Sequence, residues 1–289
     1  MILVGIGLFA YPAASDFLFS RNATTMVNNY DAIVGETDEA SLKRAWEEAV
    51  DYNHSLEGNP VKDPFLVGSG MAMAENYTQV LDLGGGGVMG YIKIPKIDVM
   101  LAIYHGTAED VLLQGVGHLE GSSLPVGGTG SHCVLTGHSG LANARMFTDL
   151  VKVEKDDVFY LHVLDQTLAY KVDQIKVVLP KEISDLARVD GKDYCTLITC
   201  TPYGINTHRL LVRGTRIEYV PEEAQQLVAD SRPAAKWLTE WNTLLGLAVG
   251  VVLALAVIIF LIIFLKRKKR KERKRYWWEE IELPAKEKG

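Results

Sequence analysis

A cysteine, a histidine and an arginine are the side chains of this 289-residue chain whose types and places could do chemistry together. Cys200 closes the run YCTLITC, the eight residues TPYGINTH follow, and Arg209 opens RLLVRG. The Pro, Gly and Asn of the intervening stretch mark a loop between two strands. If those strands pair as a hairpin, the last residue of one lies beside the first of the next. A thiol is then held next to a permanently charged guanidinium at the rim of a sheet. His138 ends a third apolar run, VLTGHSG, and a glycine-containing turn follows it, so it too belongs at a rim.

The three functions are complementary. Cysteine attacks as the thiolate, and an unperturbed thiol has a pKa of about 8.5. A nearby imidazole can exchange that proton and later protonate a leaving amine. A guanidinium can hold a substrate backbone or stabilise an oxyanion. Singly, each residue has a plainer reading: a small buried hydrophobe, a strand-end histidine, a rim charge. The chain has three cysteines, Cys133, Cys195 and Cys200, and that odd, low count argues against a disulfide framework. Cys195 and Cys200 are five residues apart in one extended run, so they point to opposite sheet faces.

Positioning these groups requires strands. From Val88 the chain reads as short β runs: YIKIP, IDVMLAIYHG, SHCVLTG, VFYLHVL, TLAYKVDQIKVVLP, YCTLITC and RLLVRGTRIEYV. Only EDVLLQGVG and the stretch around ARMFTDL look helical. Seven or eight strands in so short a span predict a mainly β domain over 88–220, a sandwich or a closed barrel without exposed edges. Upstream, residues 38–57 carry apolar side chains at Leu42, Ala45, Trp46, Ala49, Val50 and Leu56, which predicts an amphipathic helix. Asp38 and Glu39 suit its positive end. A loop, GNPVKDPFLVGSG, follows. Gly84 to Gly87 lack the GK[ST] of a phosphate-binding loop and read as a flexible joint ending a helical region at 21–87.

Charge and hydropathy divide the chain further. Residues 266–289 carry a net charge of +6, leaving −12 on the remainder, so no basic groove for nucleic acid is expected in the folded part. Immediately before the basic tail, Leu244 to Leu265 read LLGLAVGVVLALAVIIFLIIFL. As a helix this stretch spans roughly 33 Å, matching a hydrocarbon core of about 30 Å. It predicts a transmembrane helix at 244–265 in a lipid bilayer. The tail 266–289 is then cytoplasmic, residues before Leu244 are outside, and 221–243 form a helical or irregular stalk. The N-terminal stretch 1–20 opens with MILVGIGLFAYPAA, apolar but short for a span. We read it as the remainder of a signal-anchor, with a strand or helix packed on the body as the alternative.

The ordered runs YIKIPKID, YHGTAEDVLLQGVGHLEGSSLPVGG, VLTGHSGLANARMFTDL and TLITCTPYGINTHRLLVRG resemble the sortase family, and within it the class C, pilin-polymerising sortases. The resemblance covers roughly 9–220 and the C-terminal span. It implies a closed sortase β-barrel of about eight strands with an N-terminal helical region and lid. Its TLxTC motif falls on Thr196 to Cys200, making Cys200 the nucleophile, with His138 and Arg209 as catalytic partners and Thr199 as a substrate-binding position. The lid's Asp-Pro-aromatic motif falls on Asp63, Pro64 and Phe65, with Asp63 near the arginine and Phe65 near the cysteine. Two departures stand out. Members often have GHRG where this chain has Gly137-His138-Ser139-Gly140, and their LYPxxSN pattern appears here as FAYPAASD, ending at Asp16.

The resemblance implies a thioacyl-enzyme, formed by attack on the Thr-Gly bond of an LPxTG-like sorting signal and resolved by a pilin lysine. Its partners would be pilin subunits, at the membrane of a Gram-positive bacterium with the catalytic domain extracellular. A housekeeping sortase acting on peptidoglycan and a catalytically silent pilus-assembly scaffold are the alternatives. No metal or cofactor is expected, because the histidines lack paired ligand spacing and the acidic residues show no EF-hand pattern.

Overall fold

The computed structural model describes residues 2–56, 76–141, 144–182, 184–231, 260 and 262–267. The chain divides into two units, Met1–Arg232 and Pro233–Gly289. In the first unit, helices α1 (Ile2–Glu36) and α2 (Glu39–Ser55) precede strands β1 (Val88–Ile94) and β2 (Val99–His105). The short helix α3 (Glu109–Leu112) leads to β3 (Val116–His118) and β4 (Ser131–Thr136). A 3-10 turn (Thr148–Lys152) then leads to β5 (Val158–Val163) and β6 (Gln166–Val178). Strands β7 (Asp193–Thr201) and β8 (His208–Ile217) and helix α4 (Pro221–Ser231) complete it. In the second unit, residues 262–267 are helical, and the rings of Phe260 and Phe264 stack 6.3 Å apart.

The eight strands close into a barrel in the order β1-β2-β3-β4-β7-β8-β6-β5, with β5 pairing back on β1. Alternation along the strands explains how it fills. Cys133, Leu135, Cys195, Leu197, Leu210 and Val212 belong to the main core, beside Met89, Ile92, Ile103, Leu161 and Leu168. The residues between them face the other way: Val134, Ile198 and Leu211 join Leu119, Val178 and Leu186 in a second apolar layer. The outer face of β4, β7 and β8 is thus covered along part of its length by the β6–β7 connection. Cys195 lies in the main core and Cys200 is half-buried, as five-residue spacing in a strand requires.

The helical expectations need adjustment. Helix α2 forms as predicted, with Asp38 capping its start by accepting from the Ser41 backbone N–H. Helix α1 runs unbroken through the apolar first twenty residues, continuing past Pro12. The EDVLLQGVG run is only half helix: α3 ends at Leu112 and the chain turns into β3, which pairs parallel with β2 and antiparallel with β4. The ARMFTDL stretch yields only the 3-10 turn. The glycine run is a tethered turn, not a loose joint, since the Gly87 N–H donates to Asp82 and its carbonyl accepts the His105 N–H. The first part of the expected stalk is α4, whose Ala224 packs against Tyr160 and Ala169 on the barrel.

Among the described residues no helix is long and apolar enough to cross a membrane. Most of the expected span at 244–265, the basic tail beyond 267 and the Asp63-Pro64-Phe65 motif lie outside the described residues.

Candidate active site

Strands β4, β7 and β8 lie side by side in the barrel, and each candidate catalytic residue belongs to the same end of one of them. Cys200 and Arg209 are direct partners in the antiparallel β7–β8 ladder. Strand β4 runs parallel to β7 with Thr136 level with Ile198, so continuing two residues brings His138 level with Cys200. Two residues is one full pleat, and the parity therefore keeps His138, Cys200 and Arg209 on one face. It is the outer face, in line with Ile198 and Leu211 of the second apolar layer. The hairpin expectation for Cys200 and Arg209 is met residue for residue.

Local hydrogen bonds hold the three strand ends together. The Gly137 N–H donates to the Ile198 carbonyl at 3.0 Å, extending the β4–β7 ladder one step beyond the strand. The Ser139 hydroxyl donates to the carbonyl of Cys200 itself at 2.6 Å. Thr199, expected at the substrate, is fully buried, and its hydroxyl donates instead to the Gly137 carbonyl at 2.7 Å. It therefore ties the cysteine strand to the histidine turn. Past the turn, the Phe147 N–H donates to the His138 carbonyl at 3.0 Å. A Cβ at position 137 would sit 2.7 Å from the Phe147 ring, so only glycine lets that ring close under the turn.

Electrostatics follow from burial. His138 is half-buried, and desolvation pulls its pKa below the ordinary imidazole value against an opposing pull from Glu109. Burial thus favours the neutral form of the ring, the form that can accept a proton. Arg209 is 8% exposed, and its Nη1 donates to the carbonyls of Asn206 and His208 at 3.3 Å. The guanidinium is thus braced by the loop that joins it to Cys200. In that loop the Ile205 and Asn206 N–H groups both donate to the Pro202 carbonyl, and Asn206 takes a left-handed φ of 59°. A thiol, an imidazole and a fixed cation on adjacent strand ends can generate a thiolate, move a proton and stabilise an oxyanion. Among the described residues no cluster of His, Cys, Asp or Glu could hold a metal ion.

Comparison with known proteins gives the family. The sortase domain family model matches residues 92–217. Sortase C of Streptococcus pneumoniae is 45% identical with a TM-score of 0.62, over 68% of this chain and 97% of that one; its structure is described as informing catalysis and pilin substrate specificity. Sortase C-1 of Actinomyces oris is 48% identical with a TM-score of 0.59, over 62% of this chain and 99% of that one. The chain belongs to the sortase family. Sortases are cysteine transpeptidases, and these solved relatives at 42–48% identity are sortases C. Similarity to sortase A of Bacillus anthracis is lower, 30% over 127 residues, which is 44% of this chain and 59% of that protein's length.

Sequence reasoning missed two parts of this sortase site. Ser139 and Asp16 were visible only as departures from family patterns, and their hydrogen-bond partners are distant in sequence. The second omission is how firmly the flanks of the Asp63-Pro64-Phe65 stretch are held. Before it, the Asn53 side chain accepts the Leu124 N–H at 2.7 Å and donates to the Leu124 carbonyl at 3.3 Å. After it, the buried Tyr77 hydroxyl accepts the Gly106 N–H and meets His118 Nδ1, both at 2.9 Å.

Proposed function

We propose that this sortase polymerises pilins, with Cys200 as nucleophile, His138 as proton-transfer partner and Arg209 as the stabilising cation. Cys200 Sγ attacks the Thr-Gly carbonyl of an LPxTG-like sorting signal, His138 protonates the departing glycine amine, and a thioacyl-enzyme remains. A pilin lysine amine then attacks the thioester, releases Cys200 and leaves an isopeptide bond. The single observation that carries the assignment is the level placement of the three residues on adjacent strand ends of one face. The pilin substrate is supported by the 45% identity to a sortase C described with pilin substrates.

Asp63, Pro64 and Phe65 act as a lid over this site, between flanks fixed by Asn53 and Tyr77. On the hydropathy of its sequence, 244–265 anchors the enzyme in the bilayer with the basic tail inside and the barrel outside. In cells expressing a pilin with its sorting signal, Cys200→Ala is expected to abolish high-molecular-weight pilin ladders while the purified variant keeps its unfolding midpoint. Unchanged ladders would overturn the assignment. Pilin attached to cell wall without ladders would point instead to peptidoglycan as the acceptor.

A further inference from the structure

Helix α1 carries an apolar stripe at Phe19, Ala23, Val27, Tyr30 and Val34 that packs on the barrel. Near its C-terminal end it is pinned. The Tyr30 hydroxyl donates to the Met89 carbonyl at 3.0 Å and accepts the Leu164 N–H at 2.7 Å. Asp16 continues the same stripe, fourteen residues or roughly 21 Å earlier along the axis. Aspartate is a weak helix former in an interior position, and nothing local accounts for it there. Its carboxylate points to the loop that follows His138. Oδ1 accepts the backbone N–H of Arg145 at 2.8 Å, and Oδ2 lies 3.5 Å from Arg145 Nε.

That loop is tied at several of its described residues. Gly140 has a φ of +77° and donates its N–H to Thr148 Oγ1, while the Phe147 N–H closes the loop onto the His138 carbonyl. Arg145 sits between these ties, two residues from Phe147, and its side chain is 76% exposed. Its carbonyl accepts the Thr148 N–H at 2.7 Å and its neighbours Ala144 and Met146 are buried in the core, while Asp16 holds its N–H. A shift at Arg145 passes directly to Phe147 and from there to the histidine backbone.

We propose that Asp16 is a positioning residue for His138, acting through the Arg145 N–H, and that α1 is the strut that fixes it against the barrel. The proposal rests on the reading of His138 as a catalytic residue. The contact that matters is the hydrogen bond to the main chain, not the exposed ion pair with the guanidinium, since exposed pairs hold little.

The test uses the full chain in detergent and a fluorescence-quenched peptide carrying an LPxTG-like sequence, with kcat, KM and the unfolding midpoint measured for each variant. Asp16→Ala is expected to lower kcat by about tenfold or more, with KM held within about twofold, as misplacing a catalytic group does. Asp16→Ser, too short to reach Arg145, carries the same expectation and serves if the alanine variant does not fold. Asp16→Asn keeps an oxygen for the Arg145 N–H, and Arg145→Ala keeps the N–H itself, so both should stay within about threefold of wild type. Equal loss in Asp16→Asn and Asp16→Ala, wild-type kcat in Asp16→Ser, or a kcat loss that only tracks the unfolding midpoint would each overturn the proposal. A wild-type chain that turns over no peptide would instead overturn the catalytic reading beneath it, and the proposal with it.

Discussion

At the scale of single residues, Ser139 links two of the candidate catalytic strand ends. Its 2.6 Å bond to the Cys200 carbonyl joins the histidine turn to the nucleophile's own backbone. Ser139→Ala removes that bond from a half-buried position without disturbing the core. The expected result is a drop in kcat of about tenfold, with an unfolding midpoint close to wild type. An equal midpoint and an equal kcat would show that the turn is held adequately by Gly137 and Thr199. Much of this scale was legible in advance. The pairing of Cys200 with Arg209 follows from strand, loop and strand in one continuous run. The tie from Ser139 was not legible, because its acceptor lies 61 residues away and belongs to backbone, which leaves no sequence signal.

Elements show the same division between local and distant causes. Helix α2 was readable from its 3.6-residue apolar spacing, and the strands from alternation. The glycine run was read as a loose joint because, of the restraints on Gly87, His105 comes from a separate segment and the nearby Asp82 bond leaves no sequence signal. His105 alone bridges two carbonyls, Gly87 through Nδ1 at 3.0 Å and Val80 through Nε2 at 2.8 Å. Asn53 does the equivalent for α2, pairing with both backbone groups of Leu124 across 71 residues. Asn53→Ala leaves the buried Leu124 N–H unpaired, while the Leu124 carbonyl keeps the Val126 N–H at 2.8 Å. It should destabilise the chain by about 1–3 kcal/mol. Urea unfolding measures this directly, and a loss under about 0.5 kcal/mol would mean that α2 is held by its apolar face alone.

For the whole molecule, the number of strands left a sandwich or a closed barrel open, the family resemblance implied closure, and neither gave the order in which the strands pair. Parallel neighbours such as β4 and β7 are separated in the chain by β5 and β6, and only packing decides that they meet. The barrel also buries histidines, with consequences for pH. Burial holds His132 and His162 down at about 4 and lowers His105 and His138 as well. Below about pH 6.5 the unfolded chain takes up protons that these folded histidines refuse. Stability is therefore fully present above that pH and falls progressively as pH drops towards about 4. The lowered carboxylates Asp38 and Asp185 act only below their ordinary value of 3.8, outside this window. His132 lies between the Ala187 carbonyl and the Thr196 hydroxyl. Replacing it by Gln should lower stability at pH 7 yet flatten the loss between pH 6.5 and 4.5, as read from unfolding midpoints across that range. A variant with the wild-type slope would assign the acid sensitivity to other groups.

In the proposed reaction Cys200 Sγ is the atom that takes the acyl group. Intact mass measurement of the full chain, quenched in acid after brief mixing with an LPxTG-like peptide, tests this most directly. The prediction is an adduct equal in mass to the peptide up to its threonine, mapped to Cys200, absent from Cys200→Ala and discharged by an added lysine-bearing pilin. An adduct that maps elsewhere, or cleavage that persists in Cys200→Ala, would contradict it.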